Sequence, residues 1–223
     1  MLVTVLAHQL DDALTAKLKA CAPSTTVMFM FNTFRSLEGL RSAVVASRCV
    51  FGFPGIMASF TAEGALDHKF FSSGQRTIVS DDKWRAVFEG AGIPCDVERD
   101  MESWLHTHAI MFIAFSAVLA PAAARDAGVP WSDASRAARV LREGCALVRK
   151  LGFRVTPRLV AWLEALPSLT AFSLWAMTRF TSVRAFAKAV GTREFVALMD
   201  DVIAAAPSPD DVAVIRGVRS KFA

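Results

Sequence analysis

Apolar residues follow two different rhythms along this chain, and the change falls near Asp100. Before it, short apolar blocks alternate with amphipathic stretches. Met1 to Ala7 (MLVTVLA) is apolar and rich in β-branched residues, which predicts a buried strand. Leu10, Leu14 and Leu18, with Ala13 and Ala20, recur at helical spacing. Thr25 to Phe31 (TTVMFMF) predicts a second buried strand that ends at Asn32. Strand, helix and strand in such a short stretch form a βαβ unit, and continuous apolar strands predict a parallel sheet covered on both faces. A helix over Ser36 to Ala46 then leads to a third strand, Cys49 to Phe53, closed by Pro54 and Gly55. Further on, Lys69 to Phe71 and Arg76 to Ser80 predict a hairpin around Ser72, Ser73 and Gly74. Asp81 to Ala91 predicts a helix stopped at Gly92, and Ile93 to Glu98 a last short strand.

From Asp100 onward the spacing is helical throughout. Asp100 can cap a central helix on which Met101, Trp104, Leu105, His108, Met111, Phe112, Phe115 and Leu119 recur, with Pro121 and the Gly128–Pro130 pair expected to bound it. Almost every position from Ala109 to Ala124 is apolar, so this helix is wrapped by other helices or by lipid. Ser132 or Asp133 can cap the next helix, with Gly152 as its stop. Thr156-Pro157 reads as a cap followed by proline at the first helical position. Gly191-Thr192 and Ser208-Pro209-Asp210-Asp211 mark two later helix starts. The expected architecture is α/β plus all-α: an α/β piece over 1–99 followed by a helical piece over 100–223.

Composition changes this picture in one respect. The chain is 53% hydrophobic with mean hydropathy +0.38, which raises the question of a membrane. The apolar run of the central helix falls short of the roughly 20 residues a span requires, so it reads as a buried helix of a soluble, cytoplasmic protein with no membrane attachment. MLVTVLAHQLDDAL lacks a basic leading region and is not expected to be a signal peptide. Cys21, Cys49, Cys95 and Cys145 are far apart, with no histidine at ligand spacing, and read as free thiols without a metal. The net charge of +4 lies entirely in residues 100–223, where basic residues are interleaved with acids. That dispersal argues against a nucleic-acid partner.

Candidate chemistry concentrates at two places. In open parallel sheets ligands collect beyond the carboxyl ends of the strands. His8 and Gln9 follow the first strand and Asn32 the second, so all three are expected on one edge. Gln9 and Asn32 can each donate and accept, as holding a cofactor or a substrate carbonyl requires. Alternatively, Asn32 caps the segment Thr33 to Leu40 or turns the chain. The second place is the start of the central helix. His106 and His108 diverge on a helix. His108 shares a stripe with Trp104 and Phe112 and reads as a core histidine. His106 is the candidate proton donor for a carbonyl reduced by hydride. There is no G-x-S-x-G, no H-E-x-x-H, no G-x-G-x-x-G after a strand and no P-loop.

V-T-V-L-A-H-Q (3–9), F-N-T-F (31–34), R-C-V-F-G-F-P (48–54) and D-M-E-S-W-L-H-T-H (100–108) together resemble ketopantoate reductases (2-dehydropantoate 2-reductases) in order and spacing. The resemblance runs from the first residue into the central helix; the remainder is similar only in being helical. It implies an NADPH-dependent oxidoreductase acting on a small 2-oxo acid of the pantothenate pathway. It further implies a Rossmann-like NADP-binding domain over 1–99, here truncated, and a helical domain over 100–223 that often forms a homodimer. The family's active site lies in the cleft between its two domains. Gln9 corresponds to the family's glutamine near the cofactor, Asn32 to the asparagine beside nicotinamide and substrate, and Trp104 to the tryptophan opening the central helix.

Several positions depart from the family pattern. Leu6 stands where the family has a basic residue for the cofactor phosphate, His106 where it has the catalytic lysine, and Ile110 and Ala114 where it has two asparagines. The Gly-rich cofactor fingerprint would fall ahead of Met1. Activity from residues 1–223 alone is therefore expected to be negligible, and a non-catalytic, dimerising or partner-binding descendant is the alternative.

Overall fold

A computed structural model describes residues 1–44, 48–60, 63–70, 76–190 and 192–222. The chain divides into two compact units, Met1–Glu102 and Ser103–Ala223. In the first, strands β1 (Leu2–Val3), β2 (Val27–Met30) and β3 (Cys49–Phe53) run parallel, Leu2 opposite Met28 and Met28 opposite Val50. Helices α1 (Asp12–Lys19) and α2 (Leu37–Ala43) make the crossovers. The side chain of Asp11 accepts the Leu14 N–H at 2.7 Å and starts α1. β2 is covered on both faces, none of its four residues being more than 3% exposed. A continuous apolar run is what such a position demands.

The fold class expected from the sequence holds, but three of its elements differ. The first strand is two residues long, not seven, because the backbone turns into a 3-10 helix at Ala7–Gln9. It is also an edge strand, with Leu2 51% exposed, so the expectation of full burial fails. The predicted hairpin does not form. Instead β4 (Ile56–Phe60) pairs antiparallel with β5 (Leu66–Phe70) as a separate two-stranded sheet. β6 (Thr77–Val79) joins the main sheet between β3 and β7 (Cys95–Val97), antiparallel to the first and parallel to the second. The sheet order is therefore β1-β2-β3-β6-β7, and the sheet is mixed. The expected turn at 72–74 lies outside the described residues.

Helix α3 (Asp82–Gly90) starts with the Asp81 side chain accepting the Trp84 N–H at 3.0 Å. It ends in a Schellman closure: Ile93 N–H bonds to Phe88 O, Gly92 N–H to Glu89 O, and Gly92 takes φ +77. Only a residue without Cβ adopts that φ at no cost.

The second unit is helical. Helix α4 (Met101–Arg125) continues through Pro121, the first of the two bounds expected from the sequence, and ends ahead of the second, Gly128–Pro130. Proline forfeits one backbone bond and crowds the preceding turn. Packing outweighs that loss here: Val118 and Ala122, both fully buried, pack with Val129, Ala134, Ala137 and Leu174. At 25 residues α4 is long and apolar enough to cross a membrane, so the sequence-based objection on length does not stand. Leu105, Ala109, Ile110, Ile113 and Ala114 are nonetheless each at most 1% exposed. α4 closes as α3 does, with Ala127 N–H to Ala122 O and Asp126 N–H to Ala123 O. The left-handed position is taken by Asp126 (φ +50), whose carboxylate faces Arg184 and Lys188.

Helix α5 (Trp131–Lys150) begins at Pro130, two or three residues before the expected cap, and stops at Gly152 (φ +89). α6 (Arg158–Ala165) has Pro157 at its cap, not inside its first turn. α7 (Pro167–Met177), α8 (Thr181–Val190), α9 (Arg193–Ala205) and α10 (Ala213–Arg219) follow. At the helix start expected from Ser208-Pro209-Asp210-Asp211, Ser208 and Asp211 form a capping box on a 3-10 turn at Pro209–Val212.

Candidate functional site

Because β1 and β2 are parallel neighbours, their carboxyl ends open on the same edge of the sheet. Gln9 and His8 leave β1 on that edge in the exposed 3-10 turn, and Asn32 leaves β2 two residues after Met30. The two amides differ in setting. Gln9 is exposed, and its Oε1 accepts the Leu6 N–H at 2.9 Å, which leaves its amide nitrogen as the group able to reach a ligand. Asn32 is 3% exposed, within the buried run Phe31 to Phe34. It does not cap the following helix. α2 starts only at Leu37, and the Leu37 N–H is taken at 3.0 Å by Oε1 of Glu102, 65 residues away. Thr33 turns the chain, its Oγ1 accepting the Arg35 N–H at 3.1 Å.

Glu102 also lines a cavity of about 210 Å³ in the first unit, shared with Leu37, Arg41, Phe51, Ser80 and Arg99. The Arg41 guanidinium lies 5.2 Å from the centroid of the Phe51 ring. Nothing in the sequence reading pointed to this cavity, because its walls come from four separated stretches. Cys49 lines it too, but burial pushes its thiol up to about 11, so no thiolate is available there at neutral pH.

In the second unit His106 is 3% exposed and stacked on Phe153, with ring centroids 4.4 Å apart and planes 20° from parallel. The stop at Gly152 sets this contact. Gly152 N–H bonds to Arg149 O and Phe153 N–H to Val148 O, which turns the Phe153 ring onto α4. A polar seam holds the same loop. Ser103 Oγ accepts the Arg154 N–H at 3.0 Å, and Thr107 Oγ1 accepts the Thr156 N–H at 3.3 Å while donating to Ser103 O at 2.8 Å. The sequence marks Gly152 as a stop but gives no sign that Phe153 stacks on His106 or that Ser103 and Thr107 hold the loop after it.

His108 stacks on Trp104 at 4.8 Å, and burial alone drives its pKa down to about 3. It is a neutral core histidine at physiological pH. Ile110 and Ala114 are fully packed, and Ile110 fills the space above Gly144, where an added Cβ would lie 2.3 Å from its Cγ2. That part of the helix presents hydrocarbon, with no hydrogen-bonding group. Among the described residues no cluster of histidine, cysteine, aspartate or glutamate could hold a metal ion.

No protein-family model and no curated protein matches the chain. Solved structures do. The 2-dehydropantoate 2-reductase of Methylococcus capsulatus superposes with a TM-score of 0.69 at 15% identity, over 99% of this chain and 72% of that one. The dimeric ketopantoate reductase of Staphylococcus aureus gives 0.64 at 13% identity, over 100% and 78%. A D-mandelate dehydrogenase solved with NADH and anilino(oxo)acetate gives 0.53 at 14%, over 96% and 76%. The fold of this chain is that of the ketopantoate reductases.

Proposed function

We propose that the chain is a reductase of the 2-oxo acid class that uses a nicotinamide cofactor. In this reading Met1–Glu102 is the cofactor-binding part and Ser103–Ala223 the helical part, working in the cytoplasm. The observation that supports it is the likeness to ketopantoate reductases over nearly the whole chain, with Gln9 in the turn after β1 and Asn32 two residues after β2, the two strands being parallel neighbours. The residues present fit one end of such a cofactor. Amide side chains can hold its neutral carboxamide. They do not fit the other end, since no Gly-rich turn follows a described strand and Leu6 offers no charge to a phosphate.

When bound, the cofactor supplies a hydride. The chain's own candidates are Gln9 and Asn32, in the first unit, for holding it and His106, in the second, for giving a substrate oxygen a proton. With His106 stacked under Phe153, that transfer requires the Phe153 ring to move aside, which makes it slow. Like the dimeric S. aureus protein, the chain works as a homodimer. A second reading, a non-catalytic descendant of the family, is favoured by one observation: Ile110 and Ala114 present hydrocarbon where a substrate acid needs polar partners.

Titrating NADPH and NADH against the purified chain, followed by cofactor fluorescence, separates the two. Saturable binding that weakens at least tenfold in Asn32→Ala, with slow but measurable reduction of ketopantoate, supports the reductase. No saturation by either nucleotide up to millimolar concentration leaves the non-catalytic reading in its place.

A further inference from the structure

The cavity of the first unit has a chemistry that the reductase reading leaves unused. Its floor is apolar: Leu37, Phe51 and Met101 line it and are each at most 4% exposed. Its mouth is charged, with the guanidiniums of Arg41 and Arg99 and the carboxylates of Asp100 and Glu102. It is set apart from the residues that follow β1 and β2. Phe51 lies level with Phe29, three residues short of Asn32, or about 10 Å along the strand.

The charged groups are held in two different ways. The acidic side of the mouth is fixed by the backbone around it. Glu102 Oε1 accepts the Leu37 N–H at 3.0 Å. The Asp100 N–H donates to Glu98 Oε1 at 2.9 Å, and the Glu98 N–H to Val79 O at 2.9 Å, which ties this turn to β6. The guanidiniums are engaged more loosely. Arg41 stands 3.7 Å from Glu38 and Arg99 3.6 Å from Asp82, both carboxylates being more than half exposed. Exposed pairs of this kind contribute little, so either guanidinium can turn to a ligand. Arg41 already lies over the Phe51 ring of the floor.

We propose that this cavity binds a small aliphatic α-amino acid as its zwitterion. The ligand carboxylate goes to Arg41 and Arg99, its ammonium to Asp100 and Glu102, and its side chain to the floor of Leu37, Phe51 and Met101. Three observations favour that class. The charges at the mouth sum to zero, so a simple anion or cation meets repulsion as well as attraction, whereas a molecule carrying both signs pairs with each. The buried floor calls for hydrocarbon next to the charged end of the ligand. At about 210 Å³ the cavity falls below the roughly 300–1,000 Å³ of pockets for drug-sized ligands, which suits a small metabolite and excludes a dinucleotide.

The test is isothermal titration calorimetry of the full chain with L-leucine, set against isocaproate, isopentylamine and glycine, which lack the ammonium, the carboxylate and the side chain in turn. Saturable one-to-one binding of L-leucine, with each of the other three at least tenfold weaker, supports the proposal. The loss expected for glycine follows from the hydrocarbon burial it forgoes. Arg41→Gln should weaken L-leucine at least tenfold. Glu102→Gln keeps an oxygen for the Leu37 N–H while removing the charge. It should weaken L-leucine at least fivefold and leave isocaproate bound as well as before or better. Circular dichroism establishes that both variants fold, and the comparison of ligands on the wild type stands without them. No saturation by L-leucine up to 10 mM overturns the proposal. Isocaproate bound as tightly as L-leucine overturns it in favour of an anion site made by the arginines alone. Binding of L-leucine that neither variant weakens lies elsewhere on the chain and overturns it as well.

Discussion

The sheet unit and the helical unit hold their candidate chemistry in opposite ways. In the sheet, exposed Gln9 and buried Asn32 follow two neighbouring parallel strands, on the edge where the backbone turns away from the sheet. In the helical unit His106 lies on the wall of a packed core, with Phe153 over its ring and Ile110 filling the next turn of the same helix. A ligand site at strand ends survives a change of side chain, since the topology supplies the opening. A site on a helix face exists only while neighbouring side chains leave room for it.

Two glycines sharpen the comparison, and they carry the largest expected effects. In β3 a Cβ on Gly52 would lie 2.8 Å from the backbone oxygen of Ile78, and a carbonyl in a paired strand has nowhere to go. In α5 a Cβ on Gly144 would meet only the Ile110 side chain, at 2.3 to 2.9 Å. Gly52→Ala should therefore cost about 3 kcal/mol in urea unfolding and Gly144→Ala about 2 kcal/mol. Ile110→Ala and Gly144→Ala together should cost at least about 1 kcal/mol less than the sum of the two single changes, whereas Ile110→Ala and Gly52→Ala should simply add. If Ile110→Ala and Gly144→Ala also simply add, the helical unit is not packed through that contact, and the contrast with the sheet falls.

Much of this was legible in the sequence, and the parts that were not share a cause. The span of β3, the apolar β2, the helix start at Asp81 and the glycine stops at 92 and 152 are all local signals that no distant residue overrides. Errors arose where a distant partner decided. Arg76 to Ser80 looked like half of a hairpin until the sheet offered β3 and β7 as neighbours. Pro121 looked like a helix end, but Val129 and Leu174 hold the helix through it. Asp126, a left-handed stop without glycine, carried no turn signal, because Arg184 and Lys188 lie some sixty residues on. For the candidate site, the residue types at strand ends could be read in advance, while Glu102 capping α2 and Phe153 over His106 could not.

The two histidines give the next contrast, in pH. Burial holds the His108 pKa near 3 against an ordinary value near 6.5, so the unfolded chain binds a proton that the folded chain refuses. His108 is neutral and fully tolerated above about pH 6.5, and its contribution declines as the pH falls from there towards 3. The steepest slope a single group can give is about 1.4 kcal/mol per pH unit. Between pH 7 and pH 5.5 the loss should reach about 1 kcal/mol, and His108→Phe, which keeps the stack on Trp104, should abolish that part of the dependence. An identical slope in the variant would show that another group carries it.

The smallest effect tests whether the seam around His106 holds the Phe153 ring. Thr107 is fully buried, and its hydroxyl accepts the Thr156 N–H and donates to Ser103 O. Thr107→Val keeps the shape and removes the acceptor, at a cost of about 1 kcal/mol. Thr107→Ser should restore most of it. The informative readout is hydrogen exchange, because a structural loss alone would speed exchange across the unit as a whole. Loosening of the seam should instead speed the Thr156 amide and its neighbours in the loop from Phe153 while leaving the amides of α5 unchanged. In the same variant the ring protons of His106 should shift towards their values in a free histidine as Phe153 spends less time over the ring. If the loop amides stay as protected as in the wild type, Phe153 is held by its own apolar contact, and opening the way to His106 then requires changing Phe153 itself.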